Sequence, residues 1–149
     1  FLLDLVVQAL GGDATGKTVV LWGLAFKPET DDIREAPSVR LARALLDKGA
    51  CVRGHDPEAG PNFSKAVDGK VALFDREYDA LDGADVLVLL TEWRSYRAPN
   101  FTEMRRRLRN PVLLDARNIW RASEVVRAGL RYVGVGVPAP LPGAIPSRP

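Results

Sequence analysis

Six short apolar runs, separated by amphipathic or turn-rich segments, leave this chain few folds to choose from. They are "KTVVLWG" (17–23), "CVRGHD" (51–56), "VALF" (71–74), "ADVLVLLT" (84–91), "PVLLDA" (111–116) and "RYVGVG" (131–136). The central runs are hydrophobic at consecutive rather than alternate positions. Strands of that kind need cover on both faces, which is the demand of a parallel sheet between helical layers. Helical patterns do fall between the runs. In "PSVRLARALLDKG", Pro37 suits the first helical position, Val39, Ala42, Leu45 and Leu46 line one face, and Gly49 marks the stop. "REYDALDGA", "FTEMRRRLRN" and "ASEVVRAG" are further helix candidates. The alternation predicts an α/β fold: a three-layer, doubly wound, Rossmann-like and mainly parallel sheet with right-handed crossovers.

The two ends differ from this middle. Residues 1–12, "FLLDLVVQALGG", carry Leu2, Leu5, Val6, Ala9 and Leu10 at helical spacing and stop at Gly11-Gly12. They read as the last turns of a helix entered without an initiator methionine, so the chain is expected to be a piece of something longer. Residues 137–149 include "PAPLPGAIPSRP", with five prolines in twelve residues, and are expected to be extended or disordered. A net charge of +2 is too small to argue for nucleic acid or a membrane surface. No apolar run reaches the roughly 20 residues that cross a bilayer. The single Cys51 rules out an internal disulfide and suits a reducing cytoplasm.

Doubly wound sheets take ligands outside the carboxyl ends of their strands, so the residues just after each run carry the functional reading. After the first run comes "GLAFKPETDDIREAPS". The Gly-x-Gly-x-x-Gly phosphate clamp is missing there, and a charged loop stands in its place. Lys27 can neutralise a phosphate or bond a sugar oxygen, with Phe26 against a base or ribose; a solvated lysine and a core phenylalanine are the alternative. Arg34 lies among Asp31, Asp32 and Glu35, which can orient its guanidinium toward an oxyanion or simply form a surface ion network. Glu29 and these acids match no calcium loop, and Lys27 and Arg34 balance their charge, so no metal is expected. After the fifth run, Arg117 can face the same edge with Asp115 to orient it.

The remaining candidates read as structural. "TEWRSYR" offers Thr91, Glu92, Trp93, Tyr96 and Arg97, read as cover for the sheet edge. "HDP" at 55–57 reads as a turn, Cys51 as a small buried hydrophobe, and "RRRLR" (105–109) as a solvated helix face. A phosphoacceptor receiver domain is excluded, because "DARNIW" lacks the lysine required after the fifth strand.

Taken together, "GLAFKPETDDIREAPS", "HDP", "GADVLVLLTEW" and "LLDARNIW" resemble, in order and spacing, the C-terminal domain of the UDP-glucose/GDP-mannose dehydrogenase family. The resemblance covers about residues 16–136. It implies a sugar-nucleotide (UDP)-binding domain at 16–136, with 1–12 as the end of a connecting helix from an N-terminal NAD-binding domain. The family oxidises a sugar 6-hydroxyl to a carboxylate with two NAD and a cysteine nucleophile. That cysteine belongs to the N-terminal part, so no catalytic residue is expected here and Cys51 does not inherit the role. By the same resemblance Phe26, Lys27 and Arg117 contact the sugar nucleotide, and Arg34 approaches NAD. UDP-glucose is the expected substrate, with GDP-mannose or a UDP-N-acetylhexosamine as alternatives within the family. A homo-oligomer is implied for the full-length form. Outside the family, the alternatives are a non-catalytic nucleotide-binding module and a purely structural oligomerisation domain. Ala36, Ala116 and His55 stand where the family usually has serine, glycine and tyrosine.

Overall fold

Each of the six apolar runs contains a strand in the computed structural model, which describes residues 1–135. The proline-rich segment 137–149 lies outside the described residues. The strands are β1 (Thr18–Trp22), β2 (Cys51–His55), β3 (Ala72–Leu73), β4 (Val86–Leu89), β5 (Val112–Asp115) and β6 (Arg131–Gly134). They form one sheet in the order β3-β2-β1-β4-β5-β6, with every neighbouring pair parallel. The helices are α1 (Leu2–Ala9), α2 (Pro37–Asp47), α3 (Gly60–Ala66), α4 (Phe101–Arg107) and α5 (Ala122–Arg127). Right-handed crossovers place α2 and α3 on one face of the sheet and α4 and α5 on the other. The expected doubly wound fold is therefore present, and its sheet is wholly parallel.

The core follows from the uninterrupted runs. All of β4 and β5 and positions Val19 to Trp22 of β1 are buried. Strand register then aligns the carboxyl edge: Trp22 lies opposite both His55 and Leu89, and Leu89 lies opposite Asp115. Beneath that edge Trp22 stacks on Tyr96 at 4.9 Å and meets the edges of Tyr78 and Trp120 at 5.5 and 6.2 Å. Its indole N–H donates to the Glu77 carbonyl at 3.0 Å, and that of Trp120 to the Tyr96 carbonyl at 2.8 Å. Large apolar area and satisfied donors make this cluster the rigid floor under the loops.

Several local expectations are corrected. "REYDALDGA" forms only a 3-10 turn at Asp79–Leu81. The Ala80 and Asp82 carbonyls, which could accept bonds from a following helical turn, instead accept from Arg53 at 3.0 and 2.7 Å. The helix α3 in "GPNFSKA" was masked by its glycine and proline, yet Pro61 is tolerated in the first turn and Phe63 is fully buried. On α2 the buried residues are Ser38, Leu41, Ala42 and Leu45, so Val39 and Leu46 flank the stripe rather than centre it. Cys51 is exposed, because it opens β2 at the amino edge of the sheet. Within "RRRLR", Arg107 is drawn inward by Glu103, Asp79 and Asp82, while Arg105, Arg106 and Arg109 remain exposed.

His55 is buried more deeply than a turn residue would be. Its Nδ1 lies 2.6 Å from the Tyr96 hydroxyl, and Nε2 faces Glu77 at 3.6 Å. Burial lowers its pKa below the usual 6.5, against the opposing pull of Glu77, Asp56 and Asp75. Two outcomes are expected. Because the folded value is depressed, the unfolded chain binds the proton more readily, and stability falls as pH drops through about 6.5 toward the folded value. Urea midpoints measured between about pH 5 and pH 7 should show this slope in the parent and a flatter one in His55→Gln. Gly23 has φ 92°, and a Cβ there would stand 2.6 Å from the Thr91 nitrogen. Gly23→Ala should therefore cost about 2–5 kcal/mol in the same urea assay, through left-handed strain plus a backbone clash.

Candidate functional site

The loop leaving β1 is tied down one backbone group at a time. The amides of Leu24 and Ala25 both donate to Asp56 Oδ2, at 2.7 and 2.9 Å. The Leu24 carbonyl accepts from the Ser38 hydroxyl, and the Ala25 carbonyl from the Thr91 hydroxyl, each at 2.7 Å. The Phe26 amide then donates to the Asp32 carbonyl at 2.7 Å, closing the loop on itself. Buried amides and carbonyls need such partners, and here every one from Leu24 to Ala25 has one. The chain emerges with Phe26 48% exposed and Lys27 exposed at the carboxyl edge of β1. Glu29 and Glu35, at φ 66° and 60°, turn the loop at either side of the Asp31–Arg34 segment. Ala36 caps α2 without a side-chain bond, and Ser38 takes its hydroxyl into the core instead.

Asp56 has a wider role than closing a turn. Its Oδ1 accepts the Glu58 and Ala59 amides at 2.8 and 2.7 Å, forming the turn into α3. Its Oδ2 also accepts the Trp93 indole N–H at 3.1 Å. One carboxylate thus joins the loops after β1, β2 and β4, and the only hint in the sequence was an acid directly after a buried strand.

The Thr91-Glu92-Trp93 turn is the second junction. Thr91 and Trp93 are buried, as expected for edge cover. In addition, each residue of the turn reaches a different loop: Thr91 the β1 loop, Trp93 the β2 loop through Asp56, and Glu92 the β5 loop. Glu92 Oε2 accepts from Arg117 Nε at 2.7 Å. The expectation that Asp115 orients the Arg117 guanidinium is corrected by this pair. Asp115 Oδ1 accepts the Arg117 backbone amide at 3.0 Å, while Oδ2 holds the Trp120 amide and the Tyr132 hydroxyl at 2.8 and 3.0 Å. Being fully buried, Asp115 serves the backbone, and the partly exposed Glu92 meets the side chain that reaches solvent. Asn118 at φ 57° completes the bend.

Arg34 lies on the other flank. Its Nε and NH2 groups grip Asp32 at 2.8–3.2 Å, and hydrogen bonds from Arg34 hold the Asp32 carboxyl down to about 2. Asp31 contributes only a backbone carbonyl, to Asn62 at 3.0 Å, and Glu35 forms no ion pair among the described residues. The Arg34 side chain is 88% exposed beside a shallow groove of about 710 Å³ reached also by Asn62 and Lys65 of α3. Phe26, Lys27 and Arg34 therefore share one loop. Arg117 stands two strands from β1, about 10 Å along the edge at normal strand spacing. Cys51 lies at the opposite end of β2, about 13 Å from His55 at normal strand rise. Among the described residues no three His, Cys, Asp or Glu side chains are grouped to hold a metal ion, and no helix is long and apolar enough to cross a membrane.

Residues 20–122 match the family described as UDP-glucose/GDP-mannose dehydrogenase family, UDP binding domain. A UDP-glucose 6-dehydrogenase of Pseudomonas aeruginosa is 44% identical over 144 residues, covering 91% of this chain and 32% of that protein. Among solved structures, a UDP-glucose dehydrogenase from Pyrobaculum islandicum aligns with a TM-score of 0.73 at 31% identity, over 89% of this chain and 28% of that one. An NDP-N-acetyl-D-galactosaminuronic acid dehydrogenase from Methanosarcina mazei aligns with a TM-score of 0.74 at 28% identity, over 90% of this chain and 28% of that one. This chain spans about a third of the length of the curated relatives it matches. With the family match spanning most of the chain and relatives of this identity, the chain belongs to the UDP-glucose/GDP-mannose dehydrogenase family, of which it carries the UDP binding domain.

Proposed function

We propose that residues 16–136 are the sugar-nucleotide-binding domain of an NAD-dependent UDP-glucose 6-dehydrogenase, with α1 as the end of a helix leading from an NAD-binding domain. The observation that carries the reading is the pair of cations at the carboxyl edge, Lys27 after β1 and Arg117 after β5. Both reach solvent, Lys27 one residue past the Phe26–Asp32 backbone bond, and Arg117 keeps its NH1 and NH2 groups free of hydrogen bonds among the described residues. A nucleoside diphosphate sugar offers oxyanions to such an edge, and Phe26 offers an exposed apolar face for its sugar or base.

Arg34 fits an approach to NAD. Asp32 fixes one side of its guanidinium, and the remaining donors are available to an anionic or carbonyl group of the cofactor. A bound NAD, approached from this chain by Arg34, would supply the hydride acceptor for the two oxidations at C6 of the sugar. This chain's part is to hold the sugar nucleotide still while that chemistry proceeds. Its only cysteine stands at the far end of β2, so the nucleophile belongs to the other domain. In this reading the complete enzyme is a cytoplasmic homo-oligomer. The likeness to the Methanosarcina mazei protein, named for an NDP-N-acetyl sugar, supports a second reading within the family, an N-acetylhexosamine nucleotide in place of UDP-glucose.

An NMR titration of the labelled chain with UDP-glucose, UDP, GDP-mannose and NAD tests the assignment. Saturable shifts around Lys27 and Arg117 with UDP-glucose and UDP, but not GDP-mannose, are expected. Absence of saturable binding by either uridine ligand would count against a preformed half-site. Lys27→Ala and Arg117→Ala should each weaken UDP binding by ~1.5–3 kcal/mol, the worth of a charge-assisted contact. In the complete enzyme, Arg34→Ala should raise the KM for NAD and leave that for the sugar nucleotide nearly unchanged. The opposite pattern would remove Arg34 from the cofactor side.

A further inference from the structure

The turn after β4 holds Glu92 between two immobilised neighbours. Thr91 is bonded to the Ala25 carbonyl and Trp93 to Asp56, and the Trp93 amide closes the turn on the Thr91 carbonyl at 2.9 Å. The Glu92 side chain is 17% exposed, so its carboxylate has little room to wander. Arg117 is gripped at both ends, its amide by the buried Asp115 and its Nε by Glu92 at 2.7 Å. With Nε occupied, the guanidinium presents its NH1–NH2 edge, the two-pronged face that matches an oxyanion.

We propose that Glu92 is a positioning residue, which locks the Arg117 guanidinium with its fork turned outward to receive the diphosphate of the bound nucleotide. The proposal rests on the reading of Arg117 as a ligand contact. A carboxylate this close also repels the incoming oxyanion, so two effects compete. Arg117 is 48% exposed, and the repulsion is weakened there by solvent and salt. Orientation is not screened. An arginine left free must surrender its rotamer freedom when the ligand binds, whereas one already held has done so on folding. Pre-orientation therefore outweighs repulsion. The two cations divide the work: Lys27, whose charge acts on Asp32 within its own loop but forms no ion pair among the described residues, supplies charge, and the Glu92–Arg117 pair supplies direction.

The test is calorimetric titration of the chain with UDP, for the parent, Glu92→Ala, Glu92→Gln, Arg117→Ala and the Glu92→Ala/Arg117→Ala double variant. Glu92→Ala should weaken binding about tenfold, the loss of one oriented charge-assisted contact. Glutamine keeps an acceptor oxygen at the same reach, so Glu92→Gln should bind within about threefold of the parent. The double variant should bind no more weakly than Arg117→Ala, since the favourable effect of Glu92 acts only through that side chain and its repulsion of the oxyanion is removed with the carboxylate. In NMR spectra the Arg117 Nε–H should exchange slowly with water in the parent and in Glu92→Gln, and rapidly in Glu92→Ala. A purely structural Glu92 would give losses that add to those of Arg117→Ala, and this would overturn the proposal. So would a Glu92→Ala chain that binds UDP as well as the parent or better, absence of binding by both included. If Arg117→Ala itself binds like the parent, the reading of the site has failed; if it weakens and Glu92→Ala does not, only the role of Glu92 has.

Discussion

The Asp56 carboxylate is the interaction on which the ligand edge depends. It stands one residue beyond β2, beside the central strand, and accepts from Leu24, Ala25, Glu58, Ala59 and Trp93. Leu24 and Ala25 are buried, so their amides cannot turn to water instead. An acceptor lost there would leave two desolvated donors, each at a cost of about 1–3 kcal/mol. A carboxylate suits the place because it has two oxygens and no proton of its own, and its charge strengthens every N–H bond it receives. Phe26 and Lys27 lie one and two residues past this anchor, and their direction follows from it.

The charges of the site are arranged for direction more than for stability. Arg34 is bound by Asp32 and Arg117 by Glu92, and both arginines are well exposed. Exposed ion pairs contribute little to folding, so these pairs matter for where they hold the guanidinium groups. They also fall on opposite sides of Lys27 along the edge. Arg34 shares a groove with Asn62 and Lys65 of α3, the helix that follows β2, and Arg117 follows β5, on the other side of β4. In the function proposed above, that spread assigns the sugar nucleotide to one flank and the cofactor to the other.

Beneath the loops, the aromatic cluster around Trp22 makes the edge stiff. Tyr96 ties it to His55 through a 2.6 Å contact, while Trp120 follows directly on the Arg117 bend. The residues read as edge cover, Trp93 and Tyr96, are cover, and they also carry the hydrogen bonds that join one loop to the next.

Much of the fold was legible because its causes are local. Consecutive apolar residues in "VLVLL" and "VLLD" call for burial on both faces wherever they sit, and Pro37 and Gly49 bound α2 by their own backbone limits. Local signals failed where a distant group intervened: Arg53 takes the carbonyls of the expected helix at 76–84, and the packing of Phe63 forms a helix through Gly60-Pro61. The positions of Lys27, Arg34 and Arg117 at strand ends were readable in the same way. Their partners were not. Asp115 stood nearest to Arg117 in sequence, yet Glu92, 25 residues away, holds it; Asp56 bonds Leu24 and Trp93 across 32 and 37 residues. The sequence by itself determined which segments become strands and which charged residues stand at their ends, since hydrophobic period and turn chemistry act over a few residues. Which side chain grips which was decided by the order β2-β1-β4-β5, because only the assembled sheet brings those four loops side by side.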